Sequence, residues 1–385
     1  MKTSNRTHFD SLTGLRAIAA VMVFCFHLRK FWATWLPDIC NRILNEFHIG
    51  VSIFFVLSGF LIAYTYRDKP LDSNKEYLKY ILVRLVRIFP VYLALLTLKY
   101  ASGPKLPGEE MLLNYTLLKG FSDGYILTGI PQSWSLTVEM TFYCLAPFLY
   151  VAGKEKKWKP LLYLFLLFVA VSVAGFVAHK TGHNKDSFLY DYFFVLDSTF
   201  FGRFFEFYTG MFLAWRLEKR QQEINPVKGV KFTLSGIAGI VLCIFLIGCF
   251  AEKSYLPGVR SMAGLQIRNL LLPVCTAVLL YGLITETNLF QRVLSSRLFV
   301  LLGNASYIFY LMHINYGYYA LARIKEFGDH NFTFLWVVSI GAYFLFERPV
   351  YNFAKKKIKS LWNNAPPATS SLVPVENSNI DKLAS

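Results

Sequence analysis

Ten long apolar stretches, separated by short polar segments, follow one another along most of the chain. Each is about twenty residues long, the length at which a helix crosses the hydrocarbon core of a bilayer. Backbone groups in lipid must pair within their own element, so each stretch is expected to be a membrane-spanning helix. The predicted fold is all-α, a polytopic membrane bundle of about ten transmembrane helices. The predicted spans are 12–32, 47–66, 80–100, 133–152, 160–179, 194–215, 231–250, 268–286, 298–320 and 332–353.

The two ends of the chain differ from this pattern. The first apolar stretch is too long for a signal peptide, contains Arg16 and has no small-residue cleavage site, so it is predicted to be the first helix. The segment after the last span is rich in Ser, Asn and Pro, a composition typical of disorder. We therefore expect one membrane domain at 1–359 and a disordered cytoplasmic tail at 360–385.

Composition agrees with a membrane protein. Hydrophobic residues make up 55% of the chain and charged residues only 17%, whereas a soluble domain carries about a quarter. The net charge of +16 comes from Lys and Arg between the apolar stretches, which favours a positive-inside pattern over nucleic-acid binding. Both termini are then expected in the cytoplasm, with the protein in a bacterial inner or plasma membrane. The six cysteines have no metal-binding spacing, so no metal and no permanently bound cofactor are expected.

Several ionisable residues lie within the predicted spans. A charge near the bilayer centre costs about 2.5–3.5 kcal/mol on insertion scales, so each needs a structural or functional reason. The residues of this kind are Arg16, His27, Arg84, Arg87, Glu139, Arg203, Glu206, His313, Glu347 and Arg348.

These groups are predicted to sort by depth. Arg16 and His27 are eleven residues apart, which places them on one helix face about 16 Å from each other. With a cytoplasmic N-terminus, the arginines lie toward the inner surface, whereas His27, Glu139 and His313 lie further out. Guanidinium groups suit phosphates, and imidazole and carboxyl groups suit proton transfer. A long ligand with phosphates at one end, such as acyl-coenzyme A, fits this layout.

Structural interpretations remain open for the arginines. Arg84, Arg87 and Arg348 lie near span ends, where an isolated Arg often extends to the lipid headgroups. Arg203 and Glu206 are three residues apart on a helix and form either a structural ion pair or part of a site.

Two further alternatives concern the outer groups. Ser135 precedes Glu139 by four residues and shares its helix face, so it either orients that carboxylate or acts as a nucleophile. A lone His on an apolar face is more often a hydrogen-bonded core residue than a catalytic one. A carboxylate within a membrane span, by contrast, is functional by default.

Seven segments of the sequence resemble the acyltransferase-3 family of integral membrane acyltransferases, which includes O-antigen and exopolysaccharide O-acetyltransferases. The first carries the family's Arg-x10-His signature, and the third and fourth resemble its Arg-x-x-Arg and Ser-x-x-x-Glu segments. The matches occur in the family's order over about 10–355. They are LTGLRAIAAVMVFCFH, GVSIFFVLSGFLI, RLVRIFPVYL, SWSLTVEMTFY, GRFFEFYTGMFLAW, LLGNASYIFYLMH and FERPVYNF.

This resemblance implies a ten-helix membrane domain that transfers an acyl group, usually acetyl, from cytoplasmic acyl-CoA. The acceptor is a hydroxyl on a carbohydrate or another molecule, often beyond the membrane. Surface polysaccharide is the leading candidate, and lipid-linked glycans, peptidoglycan and small molecules remain open. By position, the resemblance carries functional roles onto Arg16, His27, Arg84, Arg87, Ser135, Glu139 and His313.

The chain departs from the family in one position and one domain. Ser52 stands where the family often has Asp, which removes a possible carboxylate partner for the arginines or the histidine. Many members also carry an extracytoplasmic hydrolase-like domain, for which this chain has no room. Transfer is then expected to finish within the membrane domain or on a separate protein.

The mechanism predicted from these residues starts with the arginines at 16, 84 and 87 binding the phosphates of acyl-CoA, most simply acetyl-CoA. His27 acts as general base on the acceptor hydroxyl or carries the acyl group transiently. Glu139 orients His27 or stabilises its imidazolium, and His313 binds the acceptor or the thioester oxygen. The expected partners are acyl-CoA, the glycan acceptor and membrane lipid. A transporter and a non-catalytic membrane protein remain the rival interpretations.

Overall fold

The protein is described from a computed structural model. The structure describes residues 9–32, 37–67, 73–101, 107–181, 192–218, 226–251, 257–314 and 331–363.

These segments are almost entirely helical, and the described part of every predicted span falls on helical segments, while 315–320 of the span predicted at 298–320 lies outside the described residues. The α-helices are α1 Asp10–Trp32, α2 Asp38–Asn45, α3 Gly50–Tyr66, α4 Asn74–Ala101, α5 Gly108–Tyr115, α6 Trp134–Glu155, α7 Lys159–Lys180, α8 Tyr192–Ser198, α9 Phe200–Glu218, α10 Lys231–Cys249, α11 Met262–Gln266, α12 Leu272–Thr285, α13 Leu289–Leu294, α14 Arg297–Met312, α15 Asn331–Ala342 and α16 Arg348–Asn363.

Short segments of other geometry connect some of these helices. Two strands, β1 Val227–Lys228 and β2 Glu286–Thr287, pair in parallel with Val227 opposite Glu286. Two π-helical segments adjoin α12 and α16, and 3₁₀ turns occupy four further positions. The π segments are Ile267–Leu271 and Tyr343–Glu347, and the 3₁₀ turns are Phe47–Ile49, Lys119–Phe121, Pro131–Ser133 and Gly258–Arg260.

The helical membrane bundle predicted from the sequence is confirmed, but the number of about ten spanning helices is not. Two shorter apolar helices are Lys159–Ala174 and Arg297–Met312. Helix α9, which carries four charged residues, is neither one of these shorter apolar helices nor one of the long apolar stretches named next. Within the described segments, six stretches are long and apolar enough to cross a membrane: Asp10–Arg29, Asp38–Tyr66, Asn74–Ala101, Pro131–Glu155, Lys231–Cys249 and Met262–Thr285.

Helix α3 lies at the centre of the bundle and packs against α1, α6 and α9. Its contact with α9 depends on two glycines. A Cβ atom on Gly59 would collide with the carbonyl of Phe207, and one on Gly210 would collide with the carbonyl of Val56. Small residues let membrane helices approach this closely, so α3 and α9 form a rigid pair.

One end of the bundle collects basic residues. The Trp362 indole donates to the carbonyl of Lys75 (3.0 Å), and the Tyr150 hydroxyl donates to the carbonyl of Arg67 (2.9 Å). The Lys157 ammonium donates to the carbonyl of Trp215, 2.7 Å away and next to Arg216. We call this the basic end of the bundle.

The opposite end of the bundle is joined by different contacts. Gln132 donates to the carbonyl of Leu311 (2.6 Å), and the amide of Gly258 donates to the Glu46 carboxylate (2.8 Å). We call this the distal end.

The last helix extends further than the sequence predicted. Helix α16 continues to Asn363, four residues beyond the predicted boundary at residue 359, and packs against α4. The rest of the predicted disordered tail, 364–385, lies outside the described residues.

Candidate active site

Five of the predicted site residues line a single cavity of about 220 Å³ among α1, α3, α4, α6 and α14. They are Arg16, Arg84, Arg87, Ser135 and Glu139. We call this space the arginine cavity.

The cavity is elongated along α3. Its lining extends from Val51, near the start of that helix, to Thr65, near its end. Fourteen helical residues correspond to about 21 Å. The arginines occupy the part nearer the basic end, whereas Ser135 and the hydroxyl of Tyr310 lie toward the distal end. The cavity therefore separates a cationic end from a hydroxyl-lined end.

Arg84 is held by aromatic rings rather than by a carboxylate. Its guanidinium lies 5.5 Å from the ring centre of Tyr66 and 5.6 Å from those of Tyr80 and Tyr143. Such cation–π contacts stabilise a cation without using its N–H donors. The buried Nε of Arg84 has no hydrogen-bond partner among the described residues. This arrangement leaves the guanidinium available to an anion.

Glu347 belongs to the same cluster, although it was not among the site residues selected from the sequence. Arg16 interacts electrostatically with Glu139 and Glu347, and Glu347 also interacts with Arg87. One carboxylate oxygen of Glu347 is buried without a partner in the described part of the chain. The signal for it was present, since a carboxylate in a membrane span is functional by default.

Arg348, the neighbouring candidate, faces away from the cavity. It is exposed, and its guanidinium lies 5.8 Å from the ring centre of Phe344. The π-helical turn that ends at Glu347 changes the helix register just before Arg348, and such turns are frequent at functional sites. Arg348 therefore lies on the surface of the bundle, outside the arginine cavity.

The Glu139 carboxylate lies with the arginines instead of with His27. It accepts hydrogen bonds from the hydroxyls of Ser58 (2.6 Å) and Tyr143. Between these described residues there is no contact of Glu139 with His27, so the predicted orienting role lacks its geometry. The error came from depth, because Glu139 lies far enough along α6 to reach the cationic end of the cavity.

Ser135 hydrogen-bonds to groups other than Glu139, so the geometry for its predicted orienting role is missing. Its hydroxyl donates to the carbonyl of Gln132 (3.0 Å) and lies 2.8 Å from the hydroxyl of Tyr310. Gln132 also donates to the carbonyl of Tyr310 (3.1 Å). Ser135 thus positions Tyr310 at the distal end of the cavity.

The two predicted histidines come together from different helices. The ring centres of His27, on α1, and His313, directly after α14, are 5.1 Å apart. Nδ1 of His313 lies 2.6 Å from the carbonyl of Tyr310, which requires a proton on Nδ1 and leaves Nε2 as an acceptor. That Nε2 is buried without a partner among the described residues, whereas His27 is exposed. Tyr310 connects this histidine pair to the arginine cavity.

Arg203 and Glu206 form a fully buried, two-pronged ion pair. Nε of Arg203 lies 2.8 Å from Oε2 of Glu206, and Nη2 lies 2.9 Å from Oε1. The side chains are 2% and 0% exposed. Nη2 also donates to the hydroxyl of Ser52 (3.0 Å), the position where the family often has Asp. An Asp at position 52 would add a second carboxylate to the same guanidinium.

Two residues that the sequence analysis did not select complete this group. Arg268 forms an ion pair with Asp197 and donates to Asn269 (2.9 Å), while Arg203 donates to the carbonyl of Asp197 (3.1 Å). We call Asp197, Arg203, Glu206 and Arg268 the arginine–carboxylate network. Each guanidinium in it has a carboxylate partner, which favours the structural interpretation of Arg203 and Glu206.

Sequence comparisons give a consistent family assignment. YrhL of Bacillus subtilis (strain 168), provisionally named a peptidoglycan O-acetyltransferase, is 25% identical over 93% of this chain and 56% of its own length. The provisionally named O-acetyltransferase SAR0937 of Staphylococcus aureus (strain MRSA252) is 21% identical over 94% of this chain and 60% of its own. Acyltransferase MdmB of Streptomyces mycarofaciens is 31% identical over 36% of this chain and 38% of its own.

The chain thus spans no more than about three fifths of the length of these relatives. No solved structure matches it. The sequence profile of the acyltransferase domain, in contrast, matches residues 9–347, nearly all of the helical bundle. The chain belongs to the acyltransferase-3 family of integral membrane acyltransferases.

Proposed function

We propose that this membrane acyltransferase moves an acyl group, acetyl in the simplest case, from cytoplasmic acyl-CoA to a hydroxyl of a cell-envelope glycan. The acceptor is a carbohydrate, either free or linked to lipid. The family supports the reaction type, and the provisional names of YrhL and SAR0937 support O-acetylation.

The observation that carries this proposal is the elongated arginine cavity. Its cationic end suits the phosphates of acyl-CoA, since guanidinium groups bind phosphate oxygens through paired N–H donors. The pantetheine arm then follows α3 toward Tyr310 and the histidine pair. The donor spans the distance between the two groups of residues and brings its thioester to the distal end.

The chemistry at the distal end needs a base for the acceptor hydroxyl and a group that stabilises this base once it is protonated. His27 removes the proton from the acceptor hydroxyl while its oxygen attacks the thioester carbonyl carbon. The carbon–sulfur bond breaks, and the CoA thiolate leaves with the proton from His27. His313, whose Nε2 is an acceptor without a partner among the described residues, stabilises the positive charge that develops on the His27 imidazolium. In the alternative sequence His27 itself carries the acyl group, and a mass increase of one acyl group on His27 distinguishes the two.

The polarity of the membrane domain follows from its charges. Because Lys and Arg are enriched on the cytoplasmic side of membrane proteins, the basic end faces the cytoplasm, where acyl-CoA is present. Both termini then lie in the cytoplasm of a bacterial inner membrane, and the histidine pair faces the opposite side. Cysteine-accessibility labelling of residues introduced at each end of the bundle tests this orientation.

The central experiment measures transfer by protein purified into lipid nanodiscs. It is supplied with labelled acetyl-CoA and envelope glycans, and the products are identified by mass spectrometry. We expect His27→Ala to lower transfer by about 10²- to 10⁴-fold, the usual contribution of a general base. Arg348→Gln, which changes an exposed charge outside the cavity, is the matched control and retains activity.

Two results would contradict the proposal. One is normal acylation by the His27→Ala protein after its membrane insertion has been verified. The other is movement of label across sealed vesicles in the absence of any acyl-CoA, which is the behaviour of a transporter.

A further inference from the structure

A second cavity, of about 660 Å³, lies on the side of the bundle among α9, α10 and α12. Phe232 and Val274 in its wall are 41% and 45% exposed, so it is open laterally as a groove. It shares no lining residue with the arginine cavity. We call it the lateral groove.

Helix α9 separates the two cavities by its periodicity. Phe205, Tyr208 and Phe212 recur at the spacing of one helix face and line the lateral groove. Phe207 and Gly210 lie on the opposite face, against α3. A ligand in the lateral groove therefore contacts a surface that does not take part in the proposed transfer reaction.

The walls of the groove are suited to hydrocarbon. Phe232 and Tyr281 meet edge to face with ring centres 4.8 Å apart, and Tyr208 lies 6.0 Å from Phe205. Thr209 is the one hydroxyl-bearing aliphatic residue in the lining, and it donates to the carbonyl of Phe205 (2.7 Å). Because this donor is already used inside the helix, the wall does not offer it to a ligand.

Only the basic end of the groove carries charge. Arg216 lines it there, is exposed, and lies with its guanidinium 5.0 Å from the ring centre of Phe212. No carboxylate pairs with Arg216 in the residues that the structure describes. The exposed Lys231, which begins α10, adjoins Phe232 in the wall. The groove is thus cationic at one end and apolar along the rest of its length.

We propose that the lateral groove binds an anionic diacyl glycerophospholipid from the leaflet at the basic end. Arg216 holds the phosphate, and the acyl chains lie along α9, α10 and α12. Anionic lipids of this leaflet attract basic residues near the membrane surface. The histidine pair is at the distal end, so this lipid is not the acceptor, and the site is independent of the proposed reaction.

The test uses nanodiscs that contain equal amounts of phosphatidylglycerol and phosphatidylcholine. Protein released from them is examined by native mass spectrometry, which identifies the retained lipids. We expect retention of phosphatidylglycerol in preference to phosphatidylcholine. Arg216→Gln should reduce this preference about fivefold, the effect of one basic residue near an anionic leaflet. Arg297→Gln, an exposed arginine outside the groove, should leave it unchanged.

A second variant tests whether lipid binding needs the apolar part of the groove as well as the charge of Arg216. Val278→Trp fills the apolar part and keeps Arg216, so retention of phosphatidylglycerol should fall. Equal retention of both lipids by the unmodified protein would overturn the proposal. So would undiminished retention by either the Arg216→Gln or the Val278→Trp protein. Retention of a polyprenyl phosphate in place of a glycerophospholipid, in protein isolated from its native membrane, would also overturn it.

Discussion

The arginine cavity and the arginine–carboxylate network bury the same kind of side chain in opposite ways. In the network, Arg203 and Arg268 each meet a carboxylate directly. In the cavity, Arg84 is surrounded by tyrosine rings, and none of the three arginines has a carboxylate within ion-pair distance among the described residues. The two groups lie in one bundle, so the difference is local.

The presence or absence of a carboxylate partner distinguishes arginines with a structural role from arginines with a binding role. A buried charge is tolerated when it is paired and hydrogen-bonded, and an existing pair of this kind needs no ligand. A buried guanidinium without such a partner retains N–H donors that make no hydrogen bond. An anionic ligand can accept those hydrogen bonds and balance the charge. We therefore expect substitutions in the network to change stability and substitutions in the cavity to change donor binding.

The largest expected effect comes from breaking the network. Glu206→Ala leaves Arg203 buried without its main partner, which should lower the free energy of unfolding by about 3–5 kcal/mol. Thermal unfolding of the detergent-solubilised protein measures this loss. The double variant Arg203→Met with Glu206→Leu removes both charges and should recover most of the stability. A stable Glu206→Ala protein with impaired donor binding would contradict the structural role of the network and indicate a binding role instead.

The next largest effect is on donor binding in the cavity. Arg87→Gln removes a charged donor for phosphate, and hydrogen bonds to charged groups contribute about 1.5–3 kcal/mol. We expect KM for acyl-CoA to rise about 10- to 100-fold, with thermal stability unchanged because Arg87 has no carboxylate within ion-pair distance in the described part of the chain. Steady-state kinetics with the donor varied provide the measurement, with Arg348→Gln as the control.

A loss of stability in Arg87→Gln as large as that in Glu206→Ala would show that the cavity arginine is structural. An unchanged KM would show that the phosphates bind elsewhere.

Sequence periodicity and hydropathy were sufficient for the fold. Apolar stretches of about twenty residues have few alternatives in lipid, so the helices at 12–32 and 231–250 were predicted to within a few residues. The count of spans was less secure. Helix α9 carries Arg203 and Glu206, which neutralise each other, and hydropathy alone does not reveal that pairing.

Five of the residues selected from the sequence line one cavity, but the sequence did not specify how the selected residues are grouped. Arg16 and His27 were selected because a charge in a span needs a reason, and depth along one helix separated them correctly. The depth of Glu139 was less certain, so Glu139 was assigned to His27 although its carboxylate contacts Ser58 and Tyr143 near the cationic end of the cavity. Asp197 lies near the end of a short helix, and only tertiary packing brings it to Arg268.

A smaller effect is expected at Glu286, a carboxylate paired with a helix end instead of an arginine. It accepts hydrogen bonds from the amides of Phe232 (2.8 Å) and Thr233 (2.9 Å) at the start of α10. Because these bonds stabilise the anion, they hold the pKa of Glu286 below its ordinary value. Glu286→Gln should lower the free energy of unfolding by about 1 kcal/mol, the usual contribution of a helix cap.

The pH dependence of this effect has a definite sign. A carboxyl group with a lowered pKa in the folded state contributes its full stability above the pKa of the unfolded chain, about 4.3. That contribution decreases as the pH falls through the lower, folded pKa. The difference in melting temperature between wild type and Glu286→Gln should therefore be present at pH 7 and shrink as the pH falls below about 4.3. A constant difference would mean that the carboxylate is not the stabilising form.

The smallest expected effect concerns Glu347, a carboxylate that interacts with the arginines of the cavity. Glu347 interacts with Arg16 and Arg87 through space, and its buried oxygen has no partner in the described part of the chain. Glu347→Gln then removes a negative charge that opposes donor binding without breaking an ion pair. We expect KM for acyl-CoA to fall by up to about fivefold, which corresponds to an interaction of up to about 1 kcal/mol.

The sign of that change decides between two roles for Glu347. If its carboxylate positions the arginines, as Glu206 does for Arg203, its replacement should raise KM and lower thermal stability together. If it only moderates their charge, KM should fall while stability holds, and salt should weaken the effect because the interaction is electrostatic. Measuring KM and melting temperature of Glu347→Gln at two ionic strengths, beside Arg348→Gln, therefore tests whether unpaired charge in this cavity is reserved for the donor.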